Sequence, residues 1–169
     1  MEVSRRRVLT ALGSTMLVPV IVRDAWASTA DDAFAKVAHR WLDESMRLSP
    51  VSATQIGDHR FDTKLDDLSA AGRNASLRFA KQTLAAVDAI DRTKLSRASQ
   101  VDAALLANAM RAQIWATETL QDWAWNPLGY QAVAGGAIYN VMAREFAPVA
   151  KRLEAATRRM ELKIGRAHV

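Results

Sequence analysis

The 169 residues contain no cysteine. Within this sequence that excludes disulfides, a thiolate nucleophile, a cysteine zinc knuckle and an acylated lipoprotein anchor. Glycine and proline are sparse, at seven and four, and half of the residues are hydrophobic. A collagen-like or disordered chain is excluded on that composition. Catalytic signatures are missing as well. There is no H-E-x-x-H, no serine elbow, no phosphate loop and no dinucleotide fingerprint. No stretch alternates polar and apolar residues with β-branched enrichment, so no strand is expected.

A net charge of +5 and a pI near 10 invite a nucleic-acid reading. The positive charge, however, sits at the ends. Residues 1–27 carry Arg5, Arg6, Arg7 and Arg23 against Glu2 and Asp24, and the tail carries Lys163 and Arg166. Those residues account for four of the five charges, which leaves the body, residues 28–162, at +1. A nearly neutral body gives no electrostatic footprint for nucleic acid, and none is expected as a partner.

Residues 1–27 read as an export signal. Ser4-Arg5-Arg6-Arg7-Val8-Leu9 precedes an apolar stretch, Val8 to Val22, and Ala25-Trp26-Ala27 forms an A-x-A cleavage site. Fifteen helical residues reach about 22 Å, short of the ~30 Å hydrocarbon core, so a cleaved signal is expected in preference to an anchor. Arg5 and Arg6 resemble the pair of the twin-arginine motif, which an export receptor reads; a general secretory signal remains the alternative. The expected location is the bacterial periplasm, and the first partner is the export machinery. At the other end, Ile164-Gly165-Arg166-Ala167-His168-Val169 matches the in-frame translation of a common sequencing-library adapter, and the Lys163 codon fits its leading bases. Residues 163–169 are therefore set aside, and the natural chain is expected to continue past Leu162.

The body reads as helices. Thr29 and Asp32 have capping-box spacing, and Phe34, Val37, Ala38, Trp41, Leu42 and Leu48 define one apolar face. Ser49-Pro50 ends that helix and starts a short one, with Ser49 as its cap and Pro50 at its first position, and Gly57 closes it. Asp58 to Leu68 reads as a loop. Ser69 caps a helix to about Ile90, buried along Leu77, Leu84, Val87 and Ile90. Ser96 or Ser99 caps a longer one, through Val101, Leu105, Leu106, Met110, Ile114 and Leu120. Trp123 to Tyr130 breaks the period with Asn126-Pro127 turn chemistry. Residues 131–147 return to a helical pattern around Gly135-Gly136, and Pro148 opens a last helix, Val149 to Leu162. The expected fold is all-α, an antiparallel helical array.

Few residues carry chemistry. His39 and Asp43 lie four apart on one helix, but two side chains are too few for a structural zinc site. Asp58, His59 and Arg60 lie among Asp62, Asp66 and Asp67, without the ligand spacing of an EF-hand. Trp115, Trp123, Trp125, Tyr130 and Tyr139 cluster late in the chain, where aromatics line a ligand cleft or pack a buried turn. Asn74-Ala75-Ser76 matches a glycosylation sequon inside an expected helix.

Three segments carry a family resemblance. They are Leu48-Ser-Pro-Val-Ser-Ala-Thr-Gln-Ile-Gly-Asp-His-Arg-Phe-Asp62 with Leu65-Asp-Asp-Leu-Ser69, then Gln100 to Leu106, then Gly135 to Tyr139 with Ala143 to Pro148. In this order they resemble the N-terminal part of the bacterial family called domain of unknown function 885, over residues 30–162. The resemblance implies a much longer, largely helical, exported protein similar to gluzincin-type zinc metallopeptidases. It also implies a His-Glu segment, a Gly-His-His and a Glu-Gly-Trp. In such a site two His and a Glu hold zinc and a further Glu activates water. None of those motifs occurs in this sequence, so no catalytic or metal residue is assigned here. Zinc and a peptide-like substrate are expected of the full-length protein alone. Asp58, His59, Arg60, Trp125 and Tyr139 stand as candidate cleft or family-motif residues. The expected function is that of an N-terminal piece of a zinc-dependent peptidase-like hydrolase, inactive by itself; the alternative is a non-enzymatic periplasmic helical binding or scaffold module.

Overall fold

The structure, a computed structural model, describes the backbone of residues 18–167 and the side chains of residues 29–162. Arg5 and Arg6 lie outside the described residues, as do the side chains of Ala25 and Ala27 and of the adapter-like tail. Seven α-helices and no strand are found among the described residues. They are α1 (Val18–Leu48), α2 (Pro50–Ile56), α3 (Ala70–Asp88), α4 (Arg97–Trp115), α5 (Asp122–Trp125), α6 (Pro127–Met142) and α7 (Val149–Ala167). Among the described residues no helix is long and apolar enough to cross a membrane.

The breakers act as expected at most boundaries. Gly57 closes α2 at φ 95°, a left-handed conformation that glycine adopts without a Cβ penalty. The hydroxyl of Ser69 accepts from the Gly72 N–H at the start of α3, and that of Ser96 accepts from Ser99 at the start of α4. Three expectations are corrected. Thr29 is not a helix start, because α1 runs without a break from Val18 and nothing between there and Ser49 interrupts it. Ser49 stands at the α2 cap position without a side-chain bond, and the Asp66 carboxylate takes the Val51 N–H instead, at 2.9 Å. Asn126-Pro127 is not the interior of a turn. The Asn126 carboxamide oxygen accepts from the Leu128 N–H, and Pro127 takes the first helical position of α6.

The helices bury two clusters. Phe34 of α1, Ala80 and Val87 of α3, Leu95, and Ala103, Leu106, Ala107 and Met110 of α4 form the larger one. Alanines along α3 and α4 permit the close approach of these two neighbours. Val101 and Leu105, expected on the inner face of α4, lie 43% and 64% exposed, because the buried row runs through Ala103, Leu106, Ala107 and Met110. The second cluster joins Val141 of α6 to Ala155 and Ala156 of α7, with Ile138 and Phe146 against them. Helix α2 packs on α6 and also on α1, linking the two halves. Asp31 of α1 accepts the Ser96 N–H at 2.9 Å, which ties α1 to the start of α4; that backbone bond is the main cause holding the Asp31 carboxyl below its ordinary value.

The end of α4 is irregular. Residues Ala116–Leu120 widen into a π turn, and Gln121 stops it at φ 50°. Indole N–H groups take two carbonyls at this irregular helix end. Trp125 Nε1 donates to the Leu120 carbonyl at 3.1 Å, and Trp123 Nε1 donates to that of Thr117 at 3.4 Å.

Candidate functional site

The polar centre of the molecule is Arg159. It lies on α7, is fully buried, and has no carboxylate in direct contact among its recorded bonds. A buried guanidinium is costly unless its five N–H donors are satisfied. Here Nε donates to the Lys64 carbonyl at 3.0 Å and Nη1 to that of Ala137 at 2.8 Å. Nη2 donates to the Thr54 hydroxyl at 2.7 Å and reaches the Pro50 carbonyl at 3.3 Å and the Phe61 carbonyl at 3.5 Å. One side chain thereby joins α7, α6, α2 and the segment between α2 and α3. Burial pushes the Arg159 guanidinium below its ordinary value, while the charges of Asp62 and Asp66 push it back up.

The segment read as a loop, residues 58–68, is built around this cation. It contains a single 3-10 turn, His59–Phe61, whose N-cap is the Asp58 carboxylate accepting from the Arg60 N–H at 3.1 Å. The Thr54 hydroxyl donates to Asp62 Oδ1 at 2.7 Å while accepting from Arg159. The other Asp62 oxygen meets His59 Nδ1 at 3.0 Å. A chain of hydrogen bonds thus runs from His59 through Asp62 and Thr54 to Arg159. The His59 ring also stacks on Phe146, with centroids 3.6 Å apart and planes 10° from parallel. Phe146 belongs to the link between α6 and α7, and Arg144, just before it, donates to the Gln55 carbonyl at 2.7 Å.

Arg60 faces the other way. Its guanidinium contacts both Asp58 oxygens and reaches Asp43 of α1 at 3.0 Å. The hydrogen bond from Arg60 is the chief cause that keeps the Asp58 carboxyl below its usual range. Each member of Asp58-His59-Arg60 therefore holds an internal partner, and together they clamp the segment to α1 and to the α6–α7 link. Asp43 is engaged by Arg60 across the helix surface, and His39, its expected companion, stays exposed on α1. Among the described residues no three His, Asp or Glu side chains stand close enough to hold a metal ion.

The aromatic residues separate. Trp123 and Tyr130 line a cleft of about 240 Å³ with Leu68, Arg73 and Val133. The Tyr130 hydroxyl donates to the Trp123 carbonyl at 2.8 Å, and the Arg73 guanidinium lies 4.0 Å from the Trp123 ring centroid, a cation–π contact. Trp125 and Tyr139 do not join that cleft; they are 64% and 71% exposed. Arg159, Thr54 and Phe146 escape a reading of the sequence as site residues, and Asp62 enters it only as one of the carboxylates around Asp58-His59-Arg60. One signal for Arg159 is present. Arg152, Ala155, Ala156 and Arg159 fall on one three- and four-residue row of α7, so two arginines share the row of small residues that packs inward. Arg152 uses its position to donate to the Ala147 and Met142 carbonyls at 2.9 and 2.8 Å.

These features define an all-α helical array organised around a buried arginine. The chain belongs to the family described as bacterial protein of unknown function (DUF885), whose model matches residues 50–164. That match takes in α2, the Asp58–Asp62 clamp and Arg159 together. A solved structure of a candidate lipoprotein of unknown function from Shewanella oneidensis is similar, with a TM-score of 0.70 and 30% sequence identity. The likeness covers 76% of this chain and 23% of that one, so this chain spans less than a quarter of the length of that relative. None of the curated proteins compared with the chain matches it.

Proposed function

We propose that this chain is the N-terminal helical portion of an exported zinc-dependent peptidase-like hydrolase, and that it packs against the catalytic helices without supplying a catalytic residue. The observation that carries the reading is the family match combined with the coverage of the Shewanella oneidensis relative, under a quarter of its length. A piece of that size leaves room elsewhere in the chain for the zinc ligands, the water-activating glutamate and a peptide-like substrate. The twin-arginine-like Arg5-Arg6 pair and the Ala25-Trp26-Ala27 site support export to the periplasm.

Exposed apolar surface supports the packing role. On α7, Val149, Leu153 and Met160 form a stripe on the outer face, 60%, 54% and 42% exposed. Trp125, Leu128 and Tyr139 add large exposed side chains on α5 and α6. Large apolar side chains left exposed along a helix face are the kind of surface that a packing partner covers. The reading predicts that the 169-residue chain, purified metal-free and titrated with zinc in a calorimeter, binds no stoichiometric zinc. Tight one-to-one binding would locate a ligand set on this portion, with His39 and His59 the first residues to substitute, and would overturn the division of labour.

A further inference from the structure

Helices α1 and α3 flank an open polar groove of about 600 Å³, which the clamp touches through Asp43. Arg40, Arg47 and Arg78 line it beside Phe79 and Gln82, and it continues into a smaller hollow of about 210 Å³ that Lys36 reaches. Helical spacing explains the arrangement. Lys36, Arg40 and Arg47 lie four and seven residues apart on one face of α1, and Arg78 and Gln82 lie four apart on the facing side of α3.

The charge in the groove is unbalanced. Four cations meet two carboxylates, and both carboxylates are already engaged. Asp43 accepts from Arg60 at 3.0 Å, and Glu44 accepts from Arg47 Nε at 2.7 Å. Lys36 and Arg78 make no ion pair among the described residues. Arg40 has no direct bond there and sits in the field of Glu44. A trough walled by two helices, with unengaged guanidinium groups on both sides and an amide beside them, suits a ligand that brings its own negative charge. Guanidinium planes match the paired oxygens of phosphate and carboxylate.

We propose that this groove binds a multiply charged oxyanion, clamped between Arg40 of α1 and Arg78 of α3. The shared chemistry is that of phosphate and of polycarboxylates. The site is independent of any zinc chemistry elsewhere in the protein.

Calorimetric titration of the 169-residue chain with inorganic phosphate and, separately, with citrate tests the proposal. At least one of the two ions binds saturably, and the better one identifies the ligand as phosphate-bearing or polycarboxylate. Arg40→Gln and Arg78→Gln each weaken that binding about tenfold, the equivalent of one charge-assisted hydrogen bond. Arg97→Gln, on exposed surface at the start of α4, leaves it unchanged. Added sodium chloride weakens it, because the charges are open to solvent. All three arginines are exposed, so unchanged far-ultraviolet circular dichroism establishes that the variants fold. The proposal is overturned if neither ion binds saturably up to about 10 mM, or if the Arg40 and Arg78 variants bind as tightly as the parent chain.

Discussion

Replacing Arg159 with methionine is expected to destabilise the protein by about 3–5 kcal/mol, the cost found when one partner is removed from a buried charged network. Methionine fills much of the arginine volume, so the loss is not mainly a cavity effect. What it removes is the set of guanidinium donors that ties α7 to α6, α2 and the segment after α2. The carbonyls of Lys64 and Ala137 and the hydroxyl of Thr54 lose their bonds at 3.0, 2.8 and 2.7 Å. Each buried acceptor left unsatisfied costs about 1–3 kcal/mol. The negative charges of Asp62 and Asp66 also lose the cation they face. Thermal unfolding followed by circular dichroism should register a fall in Tm on the order of 10 °C or more. Arg159→Lys should fall in between, since one ammonium keeps the charge but cannot reach acceptors set on α2, α6 and the intervening segment at once. A methionine variant as stable as the parent chain would mean that Arg159 does not organise this half of the molecule.

The second large effect is expected at Gly72, in the first turn of α3. A Cβ placed there would lie 2.0 Å from the Asp67 carbonyl oxygen and 2.7 Å from its carbonyl carbon. Both are backbone atoms, so no side-chain rotation relieves the overlap. Gly72→Ala forces residues 66–68 away from the helix, and Asp66 moves with them. The Asp66 carboxylate caps α2 by accepting the Val51 N–H at 2.9 Å, so the strain spreads to the clamp around Arg159. Overpacking of a filled site costs about 1–3 kcal/mol and occasionally more; the backbone obstacle places this substitution at the upper end. Gly57→Ala provides the comparison. Its Cβ would meet nothing within 4 Å, and its cost is the left-handed backbone alone, about 1–2 kcal/mol. Denaturant unfolding of the two variants should rank Gly72→Ala as the less stable, and the reverse order would contradict the close approach of Asp67.

Much of the fold was legible because its boundaries are local. Pro50, Gly57, Ser69, Ser96 and Pro148 each stop or start a helix through their own backbone or side-chain chemistry, and the structure places helix ends at all of them. The inner face of α3 was legible for the same reason, since Val87 is fully buried and Leu84 and Ile90 pack beside it. The polar centre was not legible. Arg159 meets Pro50, Thr54, Phe61 and Lys64, partners roughly a hundred positions earlier in the chain. Helical periodicity carries no information about such contacts. Helix α7 compounds the difficulty by turning Arg152, Arg159 and two alanines inward and Leu153 and Met160 outward, against the usual sorting of charge and hydrocarbon. The Asp58-His59-Arg60 segment stood out as a motif, but its work became readable only when Asp43 and Phe146 were placed against it.

That inverted helix bears on the proposal that this chain is one portion of a longer hydrolase, whose remaining helices would cover the apolar side chains exposed on α7. The most direct measurement is to sequence the source gene past the codon for Leu162. The account predicts an open reading frame that continues and encodes a His-Glu segment followed by Gly-His-His. A stop codon shortly after Leu162 would contradict it.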